Sequence, residues 1–157
     1  MVSEYSAGGL PGYFRDVKLR LVPVKNALGL KGARLRLYYG GMPEHKVRSV
    51  ARRKESTLIE NPPGIFRATL AYNDQIMVCL YTMKKGATVP LHDHAAAQNG
   101  YVIRGRLHMT KDTGDGFLAE SGTGYCFSPG EKHGAEVLED SEVIECFAPM
   151  RPEYVVE

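Results

Sequence analysis

His92 and His94 stand two residues apart, with Gln98 close behind, in GATVPLHDHAAAQNGYVIRG, a stretch bracketed by Gly86 and Gly105. The whole chain contains only five histidines. On a strand, residues i and i+2 face the same way, so both imidazoles can reach one point. His133 in SPGEKHG can bring a third nitrogen. Gln98 either adds an amide oxygen from the return strand or hydrogen-bonds beside a ligand. Such a set suits one divalent ion and leaves Zn, Ni, Mn, Fe and Cu all open. Neutral donors leave the charge of the ion uncancelled. That favours an anionic ligand and Lewis-acid polarisation of a carbonyl or hydroxyl oxygen over redox work that needs an anionic donor.

A second group lies near the C-terminus, in Glu145-Cys146-Phe147-Ala148-Pro149-Met150-Arg151. Strand alternation puts Glu145 and Phe147 on one face, and Arg151 follows just past the proline. Facing one cavity, they would be a general acid or base, a wall and a bidentate clamp for a substrate carboxylate. Taken alone, the segment also reads as a surface glutamate, a core phenylalanine and a solvated arginine.

The spacing Gly86-x5-His92-x-His94-x3-Gln98-x6-Gly105 resembles the first cupin motif. Gly122-x5-Ser128-Pro129-Gly130-x2-His133 resembles the second. Gln98 stands where the family has glutamate, and Pro129 sits one place late. The resemblance spans residues 44–152 and implies metal ligation by His92, His94, Gln98 and His133. The order acid-x-Phe-x-Pro-x-Arg behind motif two is similar to the pectin-degradation cupins of the KdgF type, which linearise 4,5-unsaturated uronates to open-chain ketouronates. Their acid is normally aspartate, and here it is Glu145. The likeness implies a homodimer and metal-assisted isomerase or lyase chemistry on a small anionic sugar acid, with Glu145, Phe147 and Arg151 in the catalytic group. Two competing readings are an iron-dependent dioxygenase and a non-catalytic small-molecule-binding regulator.

The elements that must position these residues read as strands. Alternating or apolar runs cover 66–72, 76–83, 98–103, 106–110, 117–120, 125–127, 135–138 and 142–147, with turns such as Asn61-Pro62-Pro63-Gly64 and Asn73-Asp74 between them. No run has helical period. Short strands at this spacing predict an all-β sandwich or barrel, and the resemblance implies a cupin double-stranded β-helix, a small jelly-roll barrel. The expected division is an arm and β-hairpin extension over 1–43 and a barrel over 44–157. The hairpin is read from two stretches alternating basic with apolar, Val17 to Val22 and Ala33 to Tyr39. From Arg15 to Lys54 twelve Lys or Arg face two acids, a surplus of ten; with a net charge of +2, the remainder carries a deficit of eight. A solvated outer face or a dimer edge explains this better than nucleic acid, because no aromatic recognition pattern accompanies it. His45 and His108 read as surface or pocket-edge residues.

Cys79, Cys126 and Cys146 are odd in number, lack C-x-x-C spacing and sit in apolar runs, which predicts three reduced core thiols. No apolar run approaches the roughly 18 residues of a membrane helix. The N-terminal residues lack a signal layout, so the expected location is the cytoplasm.

Overall fold

The computed structural model describes residues 47–156 in full and, ahead of them, the backbone of residues 5–6, 17–25 and 31–39. Two units divide the chain, Met1–Glu44 and His45–Glu157. In the first, β1 (Tyr5–Ser6), β2 (Val17–Lys25) and β3 (Lys31–Tyr39) pair antiparallel in that order, with Val17 opposite Tyr39 and Lys25 opposite Lys31. The rest of the arm, the connection between β2 and β3, the basic side chains of this segment and His45 lie outside the described residues.

The second unit is built from β4 (Leu58–Glu60), β5 (Ile65–Tyr72), β6 (Met77–Met83), β7 (Thr88–His92), β8 (Ala97–Lys111), β9 (Phe117–Glu120), β10 (Gly124–Phe127) and β11 (His133–Ala148). Their order in the sheet is β10-β8-β11-β6-β5-β4, with β7 on β11 and β9 on β8. Among the described residues the remaining regular structure is two single 3₁₀ turns, Arg53–Glu55 and Pro152–Tyr154. No helix there is long and apolar enough to cross a membrane. The expected turns are present. Gly64 takes φ +79° between β4 and β5, and Asn73 Oδ1 accepts the N–H groups of Gln75 and Ile76 between β5 and β6.

The two longest strands differ from expectation, each joining two anticipated segments. β8 and β11 pair along their whole length, from His133 opposite Lys111 to Ala148 opposite Ala97. Each gives its two halves to different neighbours: β8 to β10 and then β9, β11 to β7 and then β6. Gly105 had read as a strand end. It bends β8 without ending it, at φ +92°, where a Cβ would stand 2.2 Å from Ser141 Oγ. Ser141 Oγ accepts the Arg106 N–H at 3.1 Å and donates to Glu139 O, so the Arg106 N–H is paired at the bend. It also changes the phase of β8. Gln98, Gly100 and Val102 point inward before it, Leu107 and Met109 after it.

On β11 the odd positions from Ser141 to Phe147 point inward throughout. Those side chains, with Ile65, Met83, Val102 and Leu107, fill the space between the curved halves, each large one worth roughly 1.5–3 kcal/mol on burial. The result is an all-β jelly-roll barrel whose inward rows end at one cavity. Of the cysteines, all free, Cys79 is buried, Cys146 is half-buried and Cys126 is exposed. The core reading thus fails for Cys126: on the short β10 the inward positions belong to Tyr125 and Phe127.

Candidate metal centre and cavity

His92 closes β7, and His94 lies two residues on in the turn to β8, so one strand does not present both rings as anticipated. They still converge. His133 opens β11 directly opposite His92, and the three ring centroids are 4.6–5.7 Å apart. One ligand atom from each lies within 4.8 Å of the others.

Each imidazole is oriented by its own neighbourhood. Nδ1 of His92 meets Pro90 O at 2.9 Å, Nδ1 of His94 meets Ala96 O at 2.8 Å, and Nδ1 of His133 meets Glu131 O at 2.7 Å. A carbonyl only accepts, so each Nδ1 carries the proton and each neutral ring keeps its Nε2 lone pair free. Burial lowers the His94 pKa and takes that of His133 down to about 4, which opposes a second proton on either ring. Phe127 stacks on His133 at 4.1 Å, nearly parallel.

Gln98 Nε2 donates to Glu145 Oε1 at 2.7 Å, which turns Gln98 Oε1 toward His94 Nε2 at 2.9 Å. Two lone pairs then face each other. His133 Nε2 is buried with no hydrogen-bond partner at all. Neutral rings held this way, an opposed amide oxygen and an orphaned nitrogen are reconciled by a cation among them, so the donor set fits a divalent metal.

Glu145 sits one row beyond Gln98 and is 7% exposed. Its row runs Tyr125, Gly100, Glu145 and Cys79 across β10, β8, β11 and β6. The hydroxyl of Tyr125 donates to Glu145 Oε1 at 2.7 Å from two strands away. Gly100 makes that reach possible, because a Cβ there would lie 2.0 Å from the Tyr125 ring. Burial pushes the Glu145 carboxyl up to about 7, although its bonds from Tyr125 and Gln98 and the charge of Arg151 pull it down. Both donors meet Oε1.

Phe147, opposite Gln98, packs edge-on to His94 at 5.7 Å and to Tyr154 at 5.5 Å. The Arg151 guanidinium lies 4.0 Å from the Tyr154 ring centroid, and its Nε donates to Glu153 Oε1 at 2.7 Å. His92, His133, Gln98, Glu145, Phe147 and Arg151 all line one cavity of about 300 Å³. His94 borders it through Gln98 and Phe147.

A family model described as the cupin domain matches residues 79–147. Over those residues the chain is similar to the cupin family. Its barrel is similar to an RmlC-like cupin from Shewanella frigidimarina, at 24% identity and TM-score 0.66, covering 72% of this chain and 100% of that one. It is also similar to KdgF from a Halomonas species, at 28% identity and TM-score 0.64, covering 68% and 100%. The polyketide cyclase RemF from Streptomyces resistomycificus shares the fold at 18% identity and TM-score 0.56, covering 67% and 82%. No curated protein matches the chain by sequence.

Sequence reasoning missed Tyr125 and Tyr154, which line the cavity, and Phe127 and Arg67, which pack on His133 and Tyr154 behind its wall. Alternation along GYCF points to Tyr125 and Phe127, since the two share a face. Arg67 lies in the mainly apolar run IFRATLAY, in phase with Ile65 and Thr69. Its guanidinium rests 3.6 Å from the Tyr154 centroid, a contact with no local signal.

Proposed function

We propose that this protein is a metal-dependent enzyme that opens the ring of a small unsaturated uronate. His92, His94, Gln98 and His133 would hold one divalent ion, which when bound supplies Lewis acidity to ligand oxygens. The observation that carries the reading is the placement of a buried, high-pKa carboxyl, Glu145, one hydrogen bond from Gln98 and on the same cavity as Arg151 and Phe147.

The reaction is an isomerisation. The bond from C1 to the ring oxygen breaks, C1 becomes a carbonyl as its hydroxyl proton leaves, and the released C5 enolate takes one proton at C4 to become the ketone, so the proton lost from O1 and the proton gained at C4 balance. No oxidant enters. Glu145 is suited to carry that proton, because a carboxyl near 7 holds and releases it at neutral pH. Both hydrogen bonds fall on Oε1, so Oε2 is the atom assigned to the transfer. Arg151 takes the substrate carboxylate, and Phe147 walls the ring and keeps water from it.

The test follows the ultraviolet absorbance of a 4,5-unsaturated uronate with metal-loaded protein, metal-stripped protein and buffer. Loss of absorbance confined to the loaded protein supports the reading. Loaded protein indistinguishable from buffer removes it. A cytoplasmic homodimer belongs to the same proposal: Tyr101 and Ile103 stand exposed on the outer face of β8. Sedimentation at micromolar concentration returning only a 17.4 kDa species would count against the dimer.

A further inference from the structure

Arg67 is a buried charge for which the uronate reading has no use. Strand pairing sets it on β5 between Ile65 and Thr69 and opposite Tyr81 of β6. Ile65 and Tyr81 line the cavity, as does Tyr154 beneath the guanidinium. Arg67 is 7% exposed, and its Nε has no hydrogen-bond partner. Among the described residues no carboxylate lies within ion-pair distance of it. The Arg151 guanidinium approaches the same Tyr154 ring, so the two guanidinium carbons are within 7.6 Å of each other, the sum of 3.6 Å and 4.0 Å.

Removing a cation from water is costly unless an anion replaces the lost hydration, and an aromatic face replaces only part of it. Arg151 has such an anion in Glu153. Arg67 has none. Glu145, on the neighbouring rung, makes no ion pair with it. The donors at the metal end are all neutral as well, so nothing there cancels an excess of positive charge.

We infer that Arg67 and Arg151 form a two-guanidinium subsite, and that the ligand is a sugar acid with two oxyanion groups rather than a simple uronate. The inference rests on Arg151 as the carboxylate clamp of the proposed function. It refines that substrate to an unsaturated uronate carrying a second acidic group. The guanidinium fork matches a carboxylate bidentately, which makes a dicarboxylate the suitable probe.

Calorimetric titration of the metal-loaded protein with galacturonate, one carboxylate, and galactarate, two, tests the subsite. Wild type is expected to bind galactarate about ten-fold more tightly. Arg67→Met, similar in length but uncharged, is expected to lose that preference while keeping its metal content and its affinity for galacturonate. Arg67→Lys keeps the charge without the fork and is expected to lose part of the preference. Equal affinities in wild type, no binding of either anion, or a preference unchanged in either variant would overturn the subsite. Uronate turnover is read separately. A preference without turnover rejects the reaction and keeps the subsite; turnover without a preference does the reverse.

Discussion

The two ends of β11 hold their functional groups by different means. At its start, His133 is oriented by the backbone carbonyl of Glu131, two residues away, much as His92 and His94 are by Pro90 and Ala96. Near its end, Glu145 is oriented by Tyr125 and Gln98, brought from two other strands, and by the gap left at Gly100. The first kind of positioning is local and depends little on sheet register. The second depends on three strands being in register at once. Damage at the histidines should therefore strip metal while sparing the fold, whereas damage in the Glu145 row should disturb the fold while sparing the histidines.

The largest effect falls on metal. His94→Ala removes a donor whose Nε2 faces both Gln98 Oε1 and the other rings, and is expected to weaken metal binding by at least about 100-fold. Elemental analysis of untagged protein measures it, and full stoichiometric metal in the variant would break the assignment.

Next comes the glycine row. Gly100→Ala puts a Cβ into the Tyr125 ring and is expected to cost about 1–3 kcal/mol through overpacking, read as a fall in Tm, with metal content unchanged. Gly86→Ala sharpens the contrast. It has nothing within 4 Å but sits at φ +83°, so its cost of about 1–2 kcal/mol comes from backbone strain and leaves Tyr125 in place.

The smallest effect is in pH dependence, measured on metal-stripped protein. The Glu145 carboxyl, at about 7 against an ordinary 4.5, is bound to its proton more tightly in the fold. Its contribution is whole below pH 4.5 and is lost as pH rises toward 7. His133, at about 4 against 6.5, is bound to its second proton less tightly in the fold. Its contribution is whole above pH 6.5 and is lost as pH falls toward 4. The two oppose each other between pH 4.5 and 6.5. Glu145→Gln removes one side, so its stability should rise with pH across that window more steeply than wild type. Urea midpoints at the two ends measure the slopes, and equal slopes would contradict the opposition.

The same difference explains what was legible in the sequence. The histidines and Gln98 could be read because glycine-bracketed spacing and local carbonyls do most of the positioning. An all-β sandwich or barrel followed from period-two runs between turn residues, and the resemblance implied the jelly-roll barrel. Gly105 misled: a glycine at positive φ reads as a strand end, yet Ser141 satisfies the freed N–H and the ladder continues. Tyr125 and Arg67 were hidden because their importance lies in rungs shared with Glu145 and Tyr81, and register between distant strands leaves no mark on either strand alone.

The central claim is that the histidine end binds metal while Glu145 moves a proton. Uronate turnover and metal content measured on the same preparation of Glu145→Gln test it most directly. The substitution keeps shape and hydrogen bonding but removes the ionisable proton carrier. The account predicts full metal content and turnover lower by roughly 10²- to 10⁴-fold. Full metal content with wild-type turnover would contradict it.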